Sequence, residues 1–196
     1  MAYPAFKYTT LQHYLAMEQD AVEKHEYFEG EIYAMAGATG THVLITDNLG
    51  GEIHSLLKGK KCREFTSDYR VSTEAFETYM YPDIFIVCGK TELKANCFDT
   101  VINPSVIIEV LSPSTEERDR VLKFFFYRQI PTFNEYILVE TAHCKITTYT
   151  KNEDSTWTET VTEGINATLY IGTISAAIPM SDIYMLTEFA ADGPDE

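Results

Sequence analysis

The sequence predicts a single α/β domain of the α+β kind, a mixed β-sheet flanked by helices. Three observations lead there. The chain has 196 residues, a length that one hydrophobic core serves comfortably. Two short runs, 84–88 (IFIVC) and 106–111 (VIIEVL), are almost wholly apolar instead of alternating, as befits strands covered on both faces. Helix-period segments lie before and after them without a regular βαβα alternation, so a doubly wound parallel sheet is not expected. The domain is expected to span 1–189, and the acidic stretch AADGPDE at 190–196 to fray.

Each element has its own signal. Residues 10–18 read as a helix, with Thr9 as N-cap and Leu11, Tyr14 and Leu15 on one face. Residues 25–28 and 31–35 flank Glu29-Gly30, the pattern of a hairpin. A second helix is predicted over 42–57, with Val43, Leu44, Leu49, Ile53, Leu56 and Leu57 on its apolar side and Gly50-Gly51 weakening its middle. Short strands at 62–66 and 69–73 precede the two apolar runs. A helix over 115–129 follows them, capped by Ser114 or Thr115 and closed by Pro131. Strands resume at 135–139, 145–150 and 156–162.

Composition narrows the setting. Thirteen Tyr and eleven Phe imply that flat rings fill much of the core. No apolar run approaches a membrane span, and the start MAYPAFKYTT lacks a basic segment followed by an apolar one. A cytoplasmic location without membrane partners is therefore expected. Cys62, Cys88, Cys97 and Cys144 show no C-x-x-C pairing, and His13, His25, His42, His54 and His143 are scattered. No zinc-site spacing appears, and free thiols are expected. The net charge of −15 opposes a general grip on nucleic acid, because phosphate-binding proteins carry a basic footprint. A protein of this charge that acts on nucleic acid needs a locally basic surface, or a substrate other than ordinary duplex DNA.

Three residues carry candidate chemistry. Glu109 interrupts VIIEVL, where an ionised carboxylate without a partner costs several kcal/mol. It must take up a proton, pair with a base such as Arg118 or Lys123, or bind a cation. Asp83 follows Pro82 at the head of the other apolar strand. Pairing of the two strands brings two carboxylates together, which repel unless a cation lies between them. Mg²⁺ favours one or two carboxylates plus waters and phosphate oxygens. The plainer reading of Asp83 is a turn residue. Lys123 shares a helical stripe with Asp119 and Tyr127, and its plainer reading is a surface pair with Asp119.

The segments HEYFEGEIYAMAGATGTH, TSDYRV, YPDIFIVC, NPSVIIEVLSPSTEERDRVLKFFFYR and EYILVE together resemble the Uma2 family of restriction-endonuclease-like proteins, in the PD-(D/E)XK nuclease superfamily. The similarity runs in order over residues 8–184. It implies a restriction-endonuclease-like fold and metal-dependent hydrolysis of nucleic-acid phosphodiester bonds, with DNA the expected substrate, Mg²⁺ or Mn²⁺ the cofactor and a homodimer the assembly. Asp83 matches the first acidic motif and Glu109 the second, with the Val110 carbonyl as a further metal ligand. The superfamily's lysine belongs two residues after that acid, where this chain has Leu111; Lys123 on the next helix is the match. Glu26 matches an upstream supporting glutamate, with Glu29 and Glu31 as near alternatives. His42 falls where the family has a histidine, able to reach a phosphate or water or simply to begin a helix. Asp68 and Arg70 match too, and would serve equally as an ion pair. Two other functions stay open: a nuclease-fold binding or regulatory protein without activity, and a homo-oligomer joined through its Tyr- and Phe-rich surface.

Overall fold

The computed structural model describes residues 8–35 and 37–190. Helix α1 (Leu11–Gln19) leads into the hairpin β1 (His25–Phe28) and β2 (Glu31–Ala34), then α2 (Gly40–Leu57). Seven strands follow through the middle of the chain: β3 (Cys62–Thr66), β4 (Arg70–Val71), β5 (Thr78–Tyr79), β6 (Ile84–Cys88), β7 (Thr100–Val101), β8 (Val106–Val110) and, after a helical segment, β9 (Glu135–Val139). That segment is a π-helix, Arg118–Lys123, running directly into α3 (Phe124–Tyr127). The chain finishes with β10 (Lys145–Lys151), β11 (Trp157–Glu163), the pair β12 (Thr168–Ile171) and β13 (Ala176–Pro179), and α4 (Met180–Ile183).

The main sheet has six strands in the order β11-β10-β9-β8-β6-β3. β8 and β9 are parallel and the other neighbours antiparallel, so the predicted mixed sheet is present. A smaller antiparallel sheet, β2-β1-β5, stands beside it. Side chains alternate across the main sheet. Ile84, Ile86, Ile108 and Val110 pack under Ile45, Leu49, Ile53 and Leu57 of α2. Phe85, Val87, Ile107 and Leu111 turn the other way, towards Phe126 and Tyr127 of α3. Both faces are covered, which is why 84–88 and 106–111 contain so little polarity. Among the described residues, no helix is long and apolar enough to cross a membrane.

Several boundaries move for local reasons. Thr10, not Thr9, caps α1 by accepting the His13 N–H at 3.3 Å. Thr39 does the same for α2 through the His42 N–H, so that helix starts two residues before the sequence suggests. It runs unbroken through Gly50-Gly51 because a full buried face outweighs about 1 kcal/mol per glycine. The Glu29-Gly30 hairpin stands as expected, with φ of 48° and 103°, the left-handed pair that a two-residue turn requires. The strand expected at 69–73 shrinks to Arg70–Val71. The helix expected over 115–129 is π-helical across Arg118–Lys123. β5, β7, β12 and β13 had no usable signal, being short or formed by pairing with distant partners. The 190–196 tail lies, beyond Ala190, outside the described residues.

The expectation of four free thiols is overturned. Cys62 and Cys88 form a disulfide, while Cys97 and Cys144 remain free. The bonded pair face each other as register partners of antiparallel β3 and β6. Strand pairing alone brings them together, and a separation of 26 residues conceals it from the sequence.

Candidate active site

The site forms where β6 begins and β8 ends. Alternation places Glu109 on the same face as Ile107 and Leu111, opposite α2 and beneath the helical segment 118–127. Glu109 is only 2% exposed. Asp83, just before β6, lies beside it: the Asp83 N–H donates to Glu109 Oε2 at 3.3 Å, and the Val110 N–H donates to Asp83 Oδ2 at 2.8 Å. Antiparallel pairing of β6 with β8 thus brings the two carboxylates to one end of the sheet.

Lys123 hangs over this pair from the π-helix. Its Nζ stands 2.9 Å from Glu26 Oε1, 3.1 Å from Glu109 Oε1 and 3.0 Å from Asp119 Oδ1. The side chain is 6% exposed, so the surface pair with a solvated ammonium is corrected: Asp119 and Lys123 do pair, but indoors. Both stand on the π turn, and such turns often mark functional segments. Tyr127, next on the stripe, donates its O–H to Glu109 Oε1 at 3.0 Å. Of the bases proposed for Glu109, Lys123 makes the contact; Arg118 stacks over Tyr33 at 4.1 Å and approaches Glu26 at 3.9 Å.

Glu26 is the inward member of its group. It accepts the Tyr81 N–H at 3.1 Å and is 2% exposed. Glu29 instead sits in the hairpin turn, holding the Glu77 N–H, and Glu31 is exposed. Asp68 and Arg70 do not pair with each other: Asp68 meets Lys24 at the surface, and Arg70 Nη2 donates to both oxygens of Asp99. His42 turns inward, with Nε2 3.4 Å from Asp83 Oδ2. Asp119 and Tyr127 were visible in the sequence only as stripe members, and nothing there distinguished them from helix surface.

Charge in this cluster is unbalanced. Burial pushes the Glu109 carboxyl well above the usual range; Lys123 opposes this, and Asp119, Asp83 and Glu26 reinforce it. Burial disfavours the Lys123 ammonium, but Glu109, Glu26 and Asp119 more than offset that and hold it charged. For His42, burial is again outweighed, here by Asp83 and a hydrogen bond to the Val110 backbone, and its basicity rises. Asp119 Oδ1 is buried without a hydrogen-bond donor: Lys123 is near enough for an ion pair but poorly directed for a hydrogen bond.

These residues line one cleft of about 270 Å³, joined by Tyr81, Ser112, Thr115 and Asp47. Its acidic members, Glu26, Asp47, Asp83, Glu109 and Asp119, outnumber the permanent cations Arg118 and Lys123. Among the described residues no three His, Cys, Asp or Glu side chains already stand as a metal cage. The donors suit an oxygen-loving divalent ion nonetheless, since a carboxylate pair, a carbonyl and waters are what Mg²⁺ commonly takes. The excess negative charge and the undonated Asp119 oxygen both favour a cation.

A mixed sheet with helices on both faces and carboxylates at one strand end defines a restriction-endonuclease-like domain. A crystal structure described as "a putative nuclease belonging to DUF820", from Anabaena variabilis, superposes with a TM-score of 0.71 over 90% of this chain and 97% of that one, at 19% identity. The chain belongs to the Uma2 family, whose model, described as "Putative restriction endonuclease", matches residues 11–176. Two uncharacterised proteins of Synechocystis sp. are similar. One, slr1290, is 37% identical over 146 residues, covering 74% of this chain and 76% of its own. The other, sll1609, is 36% identical over 161 residues, covering 82% and 91%.

Proposed function

We propose that this protein is a divalent-metal-dependent nuclease that hydrolyses phosphodiester bonds in nucleic acid, with DNA as its substrate. The observation that carries the reading is Glu109: a carboxylate in an otherwise apolar strand, meeting Asp83 on one side and Lys123 on the other. Asp83, Glu109 and the Val110 carbonyl would hold the ion. Bound Mg²⁺ or Mn²⁺ supplies Lewis-acid polarisation of the phosphate and a lowered pKa for a water.

The chain's own groups do the rest. Lys123, kept protonated by three carboxylates, sets a fixed positive charge beside the carboxylate pair and offsets negative charge that develops on the phosphate in the transition state. Glu26, held by the Tyr81 N–H and Lys123, orients a water through its carboxylate and accepts a proton from it. Ser112 and Thr115, at the cleft wall, offer hydroxyls to phosphate oxygens.

A second reading has its own support. The cleft is acidic rather than basic, in a chain of net charge −15, and that favours a nuclease-fold binding protein without activity. Calorimetry tests the metal site and cleavage separates the two: Mg²⁺ or Mn²⁺ should bind the wild type and not Asp83→Ala. Cleavage of single- and double-stranded DNA should then be lost in Lys123→Ala with metal affinity nearly intact, because its charge acts on the rate. Lys58→Ala, at the far end of α2, is the control. Metal binding without cleavage of any nucleic acid would support the inactive scaffold.

A further inference from the structure

The ring of His42 has no role in the reading above, yet the fold brings it beside Asp83, one of the groups proposed to hold the ion. The Thr39 cap fixes the start of α2 by accepting the His42 backbone N–H. That accounts for the backbone of His42 but not for where its ring points. The imidazole turns into the cleft, 14% exposed, and brings Nε2 to 3.4 Å from Asp83 Oδ2. It shares the cleft with Val110, whose backbone helps to hold the ring's proton. Its neighbours are therefore two of the three groups assigned to the metal, and the third, Glu109, is joined to Asp83 through the Asp83 N–H.

The spacing suits shared ligation. Two donors each about 2.1 Å from one octahedral ion, at right angles, lie about 3 Å apart. The His42–Asp83 separation exceeds that only slightly, so a small rotation of the ring suffices to place both on one ion. A charge-neutral nitrogen donor also carries chemical information: Mg²⁺ prefers all-oxygen sites, whereas imidazole suits first-row transition ions.

We infer that His42 is a direct ligand of the ion, completing a His42–Asp83–Glu109–Val110 carbonyl donor set, and that it biases the site towards Mn²⁺ or another first-row transition ion over Mg²⁺. This rests on the metal reading of the cleft and deepens it. The nitrogen ligand raises affinity for Mn²⁺ while adding little for Mg²⁺, so its removal lowers the ratio of the two affinities and not merely their level.

Electron spin-echo modulation of the Mn²⁺-loaded wild type, with calorimetric titration of Mn²⁺ and Mg²⁺ into wild type, His42→Asn and Asp83→Ala, provides the test. The wild type should show a directly coordinated nitrogen that disappears in His42→Asn. The Mn²⁺-to-Mg²⁺ affinity ratio should fall by about tenfold or more in that variant. Mn²⁺ binding that depends on Asp83 but shows no coordinated nitrogen overturns the inference and leaves the metal reading standing. An unchanged ratio in His42→Asn overturns the selectivity. If the wild type binds neither ion, or Asp83→Ala binds both as well as wild type, the metal reading falls and the His42 assignment with it. The wild-type spectrum decides the ligation even if His42→Asn folds poorly.

Discussion

Replacing Lys123 with Met removes the single ammonium that Glu26, Glu109 and Asp119 share. Each carboxylate lies within 3.1 Å of it, and their side chains are 3% exposed, so water cannot take its place. Removing one partner of a buried ion pair commonly costs about 3–5 kcal/mol. Proton uptake sets a similar scale: forcing one carboxyl of ordinary pKa near 4.3 to be protonated at pH 7 costs about 3.7 kcal/mol. The loss in Lys123→Met should therefore be about 4 kcal/mol near pH 7 and should shrink by about 1.4 kcal/mol for each unit of acidification. A bound divalent cation should stabilise wild type and variant alike, by about 2.7 kcal/mol at a hundredfold excess over its Kd, and so leave the difference between them nearly unchanged. Urea unfolding of wild type and variant in EDTA, at about pH 7 and about pH 5, and again with excess Mg²⁺ or Mn²⁺, measures all three. A loss below about 1 kcal/mol at pH 7, the value of an exposed pair, would refute the buried-cluster reasoning.

Glu109→Gln should behave oppositely. A carboxyl whose folded pKa lies above its unfolded value adds stability that is present below the unfolded pKa, near 4.3, and is lost as pH rises through the raised folded value. The variant without metal should thus gain on wild type as pH climbs through that window, with Lys123 still neutralised by Glu26 and Asp119; parallel melting profiles from acid to neutral pH would contradict this. It should also lose the rise in Tm that Mg²⁺ or Mn²⁺ gives the wild type. In the wild type, metal affinity should rise with pH below the raised Glu109 value, by up to about tenfold per unit for one proton displaced; calorimetry across the range checks the slope. Reducing the Cys62–Cys88 bond, or making Cys62→Ser, should lower stability by about 2–4 kcal/mol, read by unfolding with and without dithiothreitol, while Cys144→Ser should not respond to reductant differently from wild type.

The features that depend on near neighbours along the chain are legible in its residue order. Apolar runs without alternation specified strands covered on both faces, because no polar group can sit there unpartnered. Glu29-Gly30 specified its hairpin through backbone geometry, and Glu109 declared itself by being the wrong polarity for its strand. The stripe Asp119–Lys123–Tyr127 was equally legible, but not its direction: the same spacing describes a solvated face or a buried one. Packing of distant segments sets that direction. It rests the 118–127 segment on the sheet, turns the stripe inward, and adds Glu26 from a separate hairpin 97 positions before Lys123. The disulfide, the short strands β5 and β7, the separate partners of Asp68 and Arg70, and the inward ring of His42 belong to the same class. Each depends on which distant segments become neighbours, a property of strand pairing and packing that residue spacing does not encode.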